Sequence, residues 1–221
     1  MLPDDYIQKL ADAVHDVGGM LVLDCVASGA MWVDMKALGV DILVTAPQKG
    51  WSGPPCCAMV VLGERAVTAI PGTTSTSFAC DLKKWMQIME TYENGAHAYH
   101  ATPPTDSIVK LASVMQEMEA FGFDKARDRQ AELGERVRKI LGARGFKILA
   151  APGFEAPGVV VCHTGKAEYQ NGKAFAALGM QVAGGVPLQC DEPEGFRTFR
   201  LGLFGLDKLY DPDRTVRVLE E

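Results

Sequence analysis

Three runs of this chain are apolar almost without a break: "MLVLDCVAS" from Met20, "DILVTA" from Asp41 and "CCAMVVLG" from Cys56. Continuous runs, as opposed to alternating ones, predict strands buried on both faces, as in a parallel sheet. A helix is predicted ahead of them, over Pro3–Val17. Pro3 suits a first turn, and Asp4 and Asp5 suit the positive end of the helix dipole. Ile7, Leu10, Val14 and Val17 repeat at helical spacing, and Gly18-Gly19 stops the pattern. A helix followed by buried strands predicts an α/β layer.

The second half has a different texture. The segment Ile70–Ala101 is irregular. Pro103 and Pro104 then precede a helix with Ile108, Leu111, Met115 and Met118 on one face, ended by Gly122. A long helix follows over Asp124–Leu141, with Glu132 four residues from Arg136 and Glu135 four from Lys139. Beyond it, "FKIL", "GVVVCHT" and "FRTFRLGLF" read as strands. Helices are expected over Glu168–Leu178 and from Pro212 onward. The expected organisation is a large domain over 1–122 and a small α+β domain over 123–221, with the long helix as connector.

Composition narrows the partners. The chain has 221 residues, a 48% hydrophobic content and a net charge of −6. That charge argues against nucleic acid and anionic membranes as partners. No apolar run reaches membrane-spanning length, and "MLPDDYIQKL" lacks the basic-then-apolar pattern of a secretory leader. The six cysteines form no CxxC pair, so reduced thiols and a cytoplasmic location are expected.

Ligands of open α/β sheets bind at the carboxyl ends of strands. Asp24 ends one apolar run and Lys49 lies just past the next. If the strands are parallel neighbours, an amine and a carboxylate share one crevice. A buried ion pair is the plain alternative. The chemistry that needs both is pyridoxal 5'-phosphate catalysis. There a lysine forms a Schiff base with the cofactor, and a carboxylate keeps the pyridine nitrogen protonated. The following "GWSGPP" would hold the lysine stem.

The stretch "LVLDCVASGAMWVDMKALGVDILVTAPQKGWSGPP" resembles the class V (fold type I) pyridoxal-phosphate aminotransferases, in particular the alanine/serine–glyoxylate group. "AYHATPPT" resembles that family's Tyr-His-x-Thr segment, and "FRLGLFG" its arginine strand. The resemblance implies a partial fold type I large domain, mostly parallel sheet with helices, plus a small α+β domain. It implies Lys49 as the catalytic lysine, Asp24 at the pyridine nitrogen, Val26 against a ring face and Gln48 near the phosphate. Tyr99 and Thr102 would reach the phosphate of a partner subunit's cofactor, so a homodimer with a shared site is implied. Arg200 would clamp a substrate carboxylate, which a planar guanidinium does in two places. The family's phosphate loop and ring-stacking aromatic precede the region matching Met1, so the resemblance is to an N-terminally truncated member.

Each residue also has a plain reading. Asp24 could cap a strand, Val26 is core in either case, and Tyr99 and Thr102 could belong to a packed turn. Alternation sets Arg200 on the face opposite Phe199 and Leu201, and Arg197 is the rival clamp. His97 and His100 lack companion metal ligands, and no metal is expected. Cys25 is read as inert and Cys56-Cys57 as core. "AGGVP" lacks a dinucleotide fingerprint, and Ser28-Gly29 is no nucleophile elbow. The activity expected is transfer of an amino group from a small amino acid to a small 2-oxo acid such as glyoxylate or pyruvate. The alternative is a non-catalytic domain that folds or dimerises without cofactor. Gln48, where cysteine desulfurases carry histidine, disfavours a lyase.

Overall fold

The computed structural model describes residues 1–221. Helix α1 (Asp4–Asp16) leads into β1 (Val22–Asp24), the short α2 (Met35–Leu38), β2 (Ile42–Thr45) and β3 (Met59–Leu62). Helix α3 (Glu64–Ala69) runs into a 3-10 turn at Ile70–Gly72, and α4 (Leu82–Glu93) follows. The long pair α5 (Thr105–Phe121) and α6 (Phe123–Ala143) meets at Gly122, whose φ of 98° lies in the region that favours glycine. The remainder is β4 (Val159–His163), α7 (Ala167–Gln170), α8 (Lys173–Ala176), β5 (Ala183–Gly184), β6 (Thr198–Gly202), α9 (Leu206–Leu209) and α10 (Pro212–Glu220).

Two three-stranded sheets result. In the first, β2 is central, parallel to β1 with Asp24 opposite Val44, and antiparallel to β3. In the second, β6 is central and antiparallel to both β4 and β5. The strands of the first sheet are less covered than continuous apolar runs predict. Val22 is 55% exposed and Val61 48%, because both lie on flanking strands with one side unpaired. Leu43 on the central strand is buried.

The second sheet carries the larger core. Fourteen buried residues form one cluster, including Val160 and Cys162 of β4, Phe199 and Leu201 of β6, and Leu133 and Val137 of α6. Met118 of α5 and Ala30, from the loop after β1, belong to the same cluster. Four buried residues, Ile7, Cys25, Val40 and Leu43, form the core beside the first sheet.

Some elements differ from the sequence expectation. In α1 the buried residues are Ile7 and Ala11, while Leu10 and Val17 are exposed. The buried face is narrow: Ile7 packs in the small cluster with Cys25, Val40 and Leu43, and Gly39 approaches Ala11 closely. "FKIL" forms a single bridge, Ile148 to Cys162. The helix expected over Glu168–Leu178 is two short helices, split by Gly172 at φ 76°. Cys57 is exposed and Cys56 half-buried, so that pair is not core. The pair follows two prolines and leads into β3, a flanking strand with one side unpaired.

One buried polar cluster ties the first sheet to its helices. Asp41 is 3% exposed, accepts from the Leu21 amide at 2.8 Å and forms an ion pair with Arg65, whose Nε lies 3.0 Å from Oδ1. His15 Nε2 lies 2.8 Å from the same carboxylate. Burial works to raise the carboxyl pKa, but these bonds, led by that of His15, bring it below its ordinary value.

Candidate active site

The parallel pairing of β1 and β2 sends both strands out of the sheet on the same side, which is where Asp24 and Lys49 lie. Asp24 Oδ1 accepts the Val26 amide at 2.9 Å, so the carboxylate terminates its strand by folding back on the next turn. Its side chain forms no ion pair, with Lys49 or any other cation. Val26 is half-buried beside it.

Lys49 sits in the turn Pro47–Trp51 and is half-buried. Its amine makes no hydrogen bond or ion pair within the chain. The Phe204 ring is nearest in kind, its centroid 5.9 Å from Nζ, at the outer reach of a cation–π contact. Gln48 is exposed. The turn itself is fastened at several points. The Gly53 amide donates to Pro47 O at 2.8 Å and the Ser52 amide to Lys49 O at 3.1 Å. Ser52 adopts φ 59°, a left-handed conformation that costs a residue with a Cβ. Its hydroxyl is engaged in return: Oγ accepts the Leu206 amide at 2.9 Å, linking the lysine turn to α9.

Gly29 and Gly50 lock this turn to the one after β1. A Cβ on Gly50 would stand 2.1 Å from Gly29 O, so the two backbones touch in a way only glycine permits. Gly29 in turn has φ 69° and faces Gln130 and Phe204. Gln130 is buried, with Nε2 donating to Pro157 O and Leu203 O at 3.2 Å each. Trp51, two residues past Lys49, packs on Trp32 at 5.1 Å between ring centroids, and Phe123 closes the triangle. Trp32 Nε1 also donates to Phe123 O at 2.9 Å. The run "GWSGPP" was the legible signal for a rigid turn. Its partners Gly29, Phe204 and Phe123 lie too far along the chain for spacing to reveal.

The other expected residues stand as follows. Arg200, on β6 between buried Phe199 and Leu201, is half-buried and donates from Nε to Gly184 O at 2.9 Å. Its two terminal nitrogens make no hydrogen bond within the chain, so the planar end of the fork stays open. Arg197 makes no side-chain hydrogen bond. Tyr99 is 76% exposed, and its hydroxyl lies 3.0 Å from Thr102 Oγ1. Neither is hydrogen-bonded to Lys49 or Asp24. His100 lies tilted against Phe78 and edge-to-face with Trp85, and its Nε2 is 3.0 Å from Phe78 O, a packing role. Cys25 is buried, and burial raises its thiol pKa. A cavity of about 160 Å³ between Arg138, Phe154 and Val160 includes none of these residues.

Asp24 ends β1 and Lys49 lies past the end of its parallel neighbour β2, while Arg200 lies on β6 of the second sheet. The chain belongs to the class-V aminotransferase family, whose model matches residues 5–185. It is similar to a 2-aminoethylphosphonate–pyruvate transaminase of Paraburkholderia phymatum, 27% identical over 210 residues, 93% of this chain and 55% of that one. It is also similar to alanine–glyoxylate aminotransferase 1 of Saccharomyces cerevisiae, 29% identical over 119 residues, 52% of this chain and 31% of that one. Among solved structures, the alanine–glyoxylate aminotransferase of Nostoc sp. superposes with a TM-score of 0.76 at 19% identity, over 96% of this chain and 55% of that one. The fold is thus part of a fold type I large domain followed by the small domain. The chain spans 55% of the length of the Paraburkholderia relative.

Proposed function

We propose that this chain carries the lysine-bearing part of a pyridoxal-phosphate-dependent transaminase site. The observation that carries the reading is Lys49: an amine without a partner in the chain, on a turn immobilised by Gly29, Ser52 and Trp51, beside the end of β1 where Asp24 lies. The donor set suits the cofactor. Lys49 offers a primary amine, Asp24 a carboxylate for a ring nitrogen, Val26 an apolar side chain for a ring face, and Gln48 an exposed amide for the phosphate. When bound, pyridoxal phosphate supplies an electron sink that makes a substrate's α-proton removable.

The chain's own residues then have defined tasks. Lys49 Nζ, unpaired, takes the α-proton as a base and returns it as an acid. Asp24, left without a cation in the chain, holds positive charge at the ring nitrogen. Arg200, anchored by Nε on Gly184 O, directs its remaining nitrogens at a carboxylate. In this reading residues 1–122 supply the cofactor-binding part and 123–221 the small domain with the clamp. The exposed Tyr99–Thr102 hydroxyl pair supports a role outside its own subunit, at the phosphate of a partner's cofactor in a cytoplasmic homodimer. The substrates are a small amino donor and a small 2-oxo acid. Relatives named for pyruvate and glyoxylate support those two acceptors, and 2-aminoethylphosphonate joins the candidate donors.

The test is an absorbance spectrum of the purified chain after incubation with pyridoxal phosphate and desalting, with borohydride trapping and peptide mapping. A retained band and a label on Lys49, both absent from a folded Lys49→Ala variant, are expected. A folded wild-type chain that retains no cofactor would overturn the reading in favour of a non-catalytic domain.

A further inference from the structure

Beyond the lysine turn, Cys56 and Cys57 stand together on the irregular segment that leads into β3. Their sulfurs are 3.8 Å apart, one half-buried and one exposed. Pro54 and Pro55 precede them with fixed φ and no amide hydrogens, a stiff tether. We propose that Cys56 and Cys57 form a two-thiol site that captures a single soft, thiophilic atom, with a trivalent organoarsenical as the ligand class that fits.

Geometry favours one bridging atom over a direct bond. A disulfide needs its sulfurs about 2.05 Å apart and its Cα atoms about 4.4–6.8 Å apart. Adjacent Cα atoms across a trans peptide are only about 3.8 Å apart, so closure would require the backbone to change. A single atom bonded to both sulfurs at about 2.3 Å, the length of a zinc–thiolate bond, would subtend about 110° across the present 3.8 Å. Pyramidal trivalent arsenic takes a narrower angle, so the two sulfurs would close in from their present 3.8 Å by side-chain rotation. No third histidine, cysteine, aspartate or glutamate joins the pair, so a closed four-ligand metal centre is not built here. Trivalent arsenic with one organic substituent needs two sulfurs and no more. In the step, two As–S bonds form and the As–O linkage of the arsenoxide breaks. The oxygen leaves as water with both thiol protons, and arsenic stays trivalent, so no oxidant is consumed.

The other thiols do not compete. Cys25 and Cys162 are buried, so neither is presented to a reagent arriving from solvent. Cys80 and Cys190 are exposed, and neither makes the thiol–thiol contact that Cys56 and Cys57 make.

The whole chain would be treated with phenylarsine oxide and read by intact mass, then by alkylation mapping. We expect one phenylarsenic group per chain, with Cys56 and Cys57 both shielded from iodoacetamide. Excess glutathione should leave the adduct in place, and 2,3-dimercaptopropanol should remove it. Either Cys56→Ser or Cys57→Ser should weaken retention on the order of a hundredfold, since the second thiol acts at high effective concentration. Cys80→Ser and Cys190→Ser should not. Undiminished retention in Cys56→Ser and Cys57→Ser, or an adduct mapping elsewhere, would overturn the proposal. If a serine variant loses its circular-dichroism spectrum, the wild-type alkylation map decides alone.

Discussion

The two sheets have the same number of strands and very different surroundings. The β4–β6–β5 sheet rests on a buried cluster of fourteen residues, whereas the β1–β2–β3 sheet is backed by four. Yet Asp24 and Lys49 belong to the poorly backed sheet. The contrast teaches how the candidate site is held. Its turns are not supported from beneath by their own core. They are fastened from the side onto the better-packed half, through Gly29 against Gln130 and Phe204, Ser52 against Leu206, and Trp51 against Phe123.

Unequal cores predict unequal penalties. Phe199 is fully buried at the centre of the larger cluster, so Phe199→Ala should cost about 3–5 kcal/mol in urea unfolding. Leu43→Ala, in the smaller cluster, should fall near the low end of the leucine range, about 2–3 kcal/mol. Equal penalties would remove the contrast. Gly50→Ala tests the sideways fastening, because the new methyl would strike a backbone oxygen that cannot swing away. A loss of about 3 kcal/mol is expected, the upper part of the usual overpacking range. Cofactor retention should fall with it; a variant that keeps both would show the turns to be independently stable.

Asp41→Asn should cost about 2 kcal/mol, the scale of hydrogen bonds to a charged group. It also carries a pH signature. The folded-state carboxyl pKa is below its ordinary value, so the stabilisation is present above that ordinary value and is lost as pH falls through the folded one. Unfolding midpoints measured from neutral to acid pH should therefore converge for wild type and Asp41→Asn. Parallel curves would place the stabilisation elsewhere.

Much of this organisation is legible in the residues. Gly122 between two amphipathic helices, and the alternation of Phe199, Arg200 and Leu201, determine elements and faces by local rules. What escapes is what depends on distant neighbours. Val22 and Val61 are as apolar as a buried strand requires, but coverage depends on what packs alongside. Gly172 reads as a tolerable helical glycine until its positive φ ends the turn. Lys49 and Asp24 are recognisable through motif and strand ends. The Gly29–Gly50 contact, which positions one of them, joins residues 21 apart and leaves no periodic trace.

The aromatic triangle has an optical consequence. Indole rings 5.1 Å apart couple electronically, and one of them lies two residues from the lysine. The turn therefore contains its own chromophore, whose near-ultraviolet ellipticity and emission report on its geometry with no label attached. Chemistry at Lys49 that disturbs this packing is expected to change the light that Trp51 absorbs and returns.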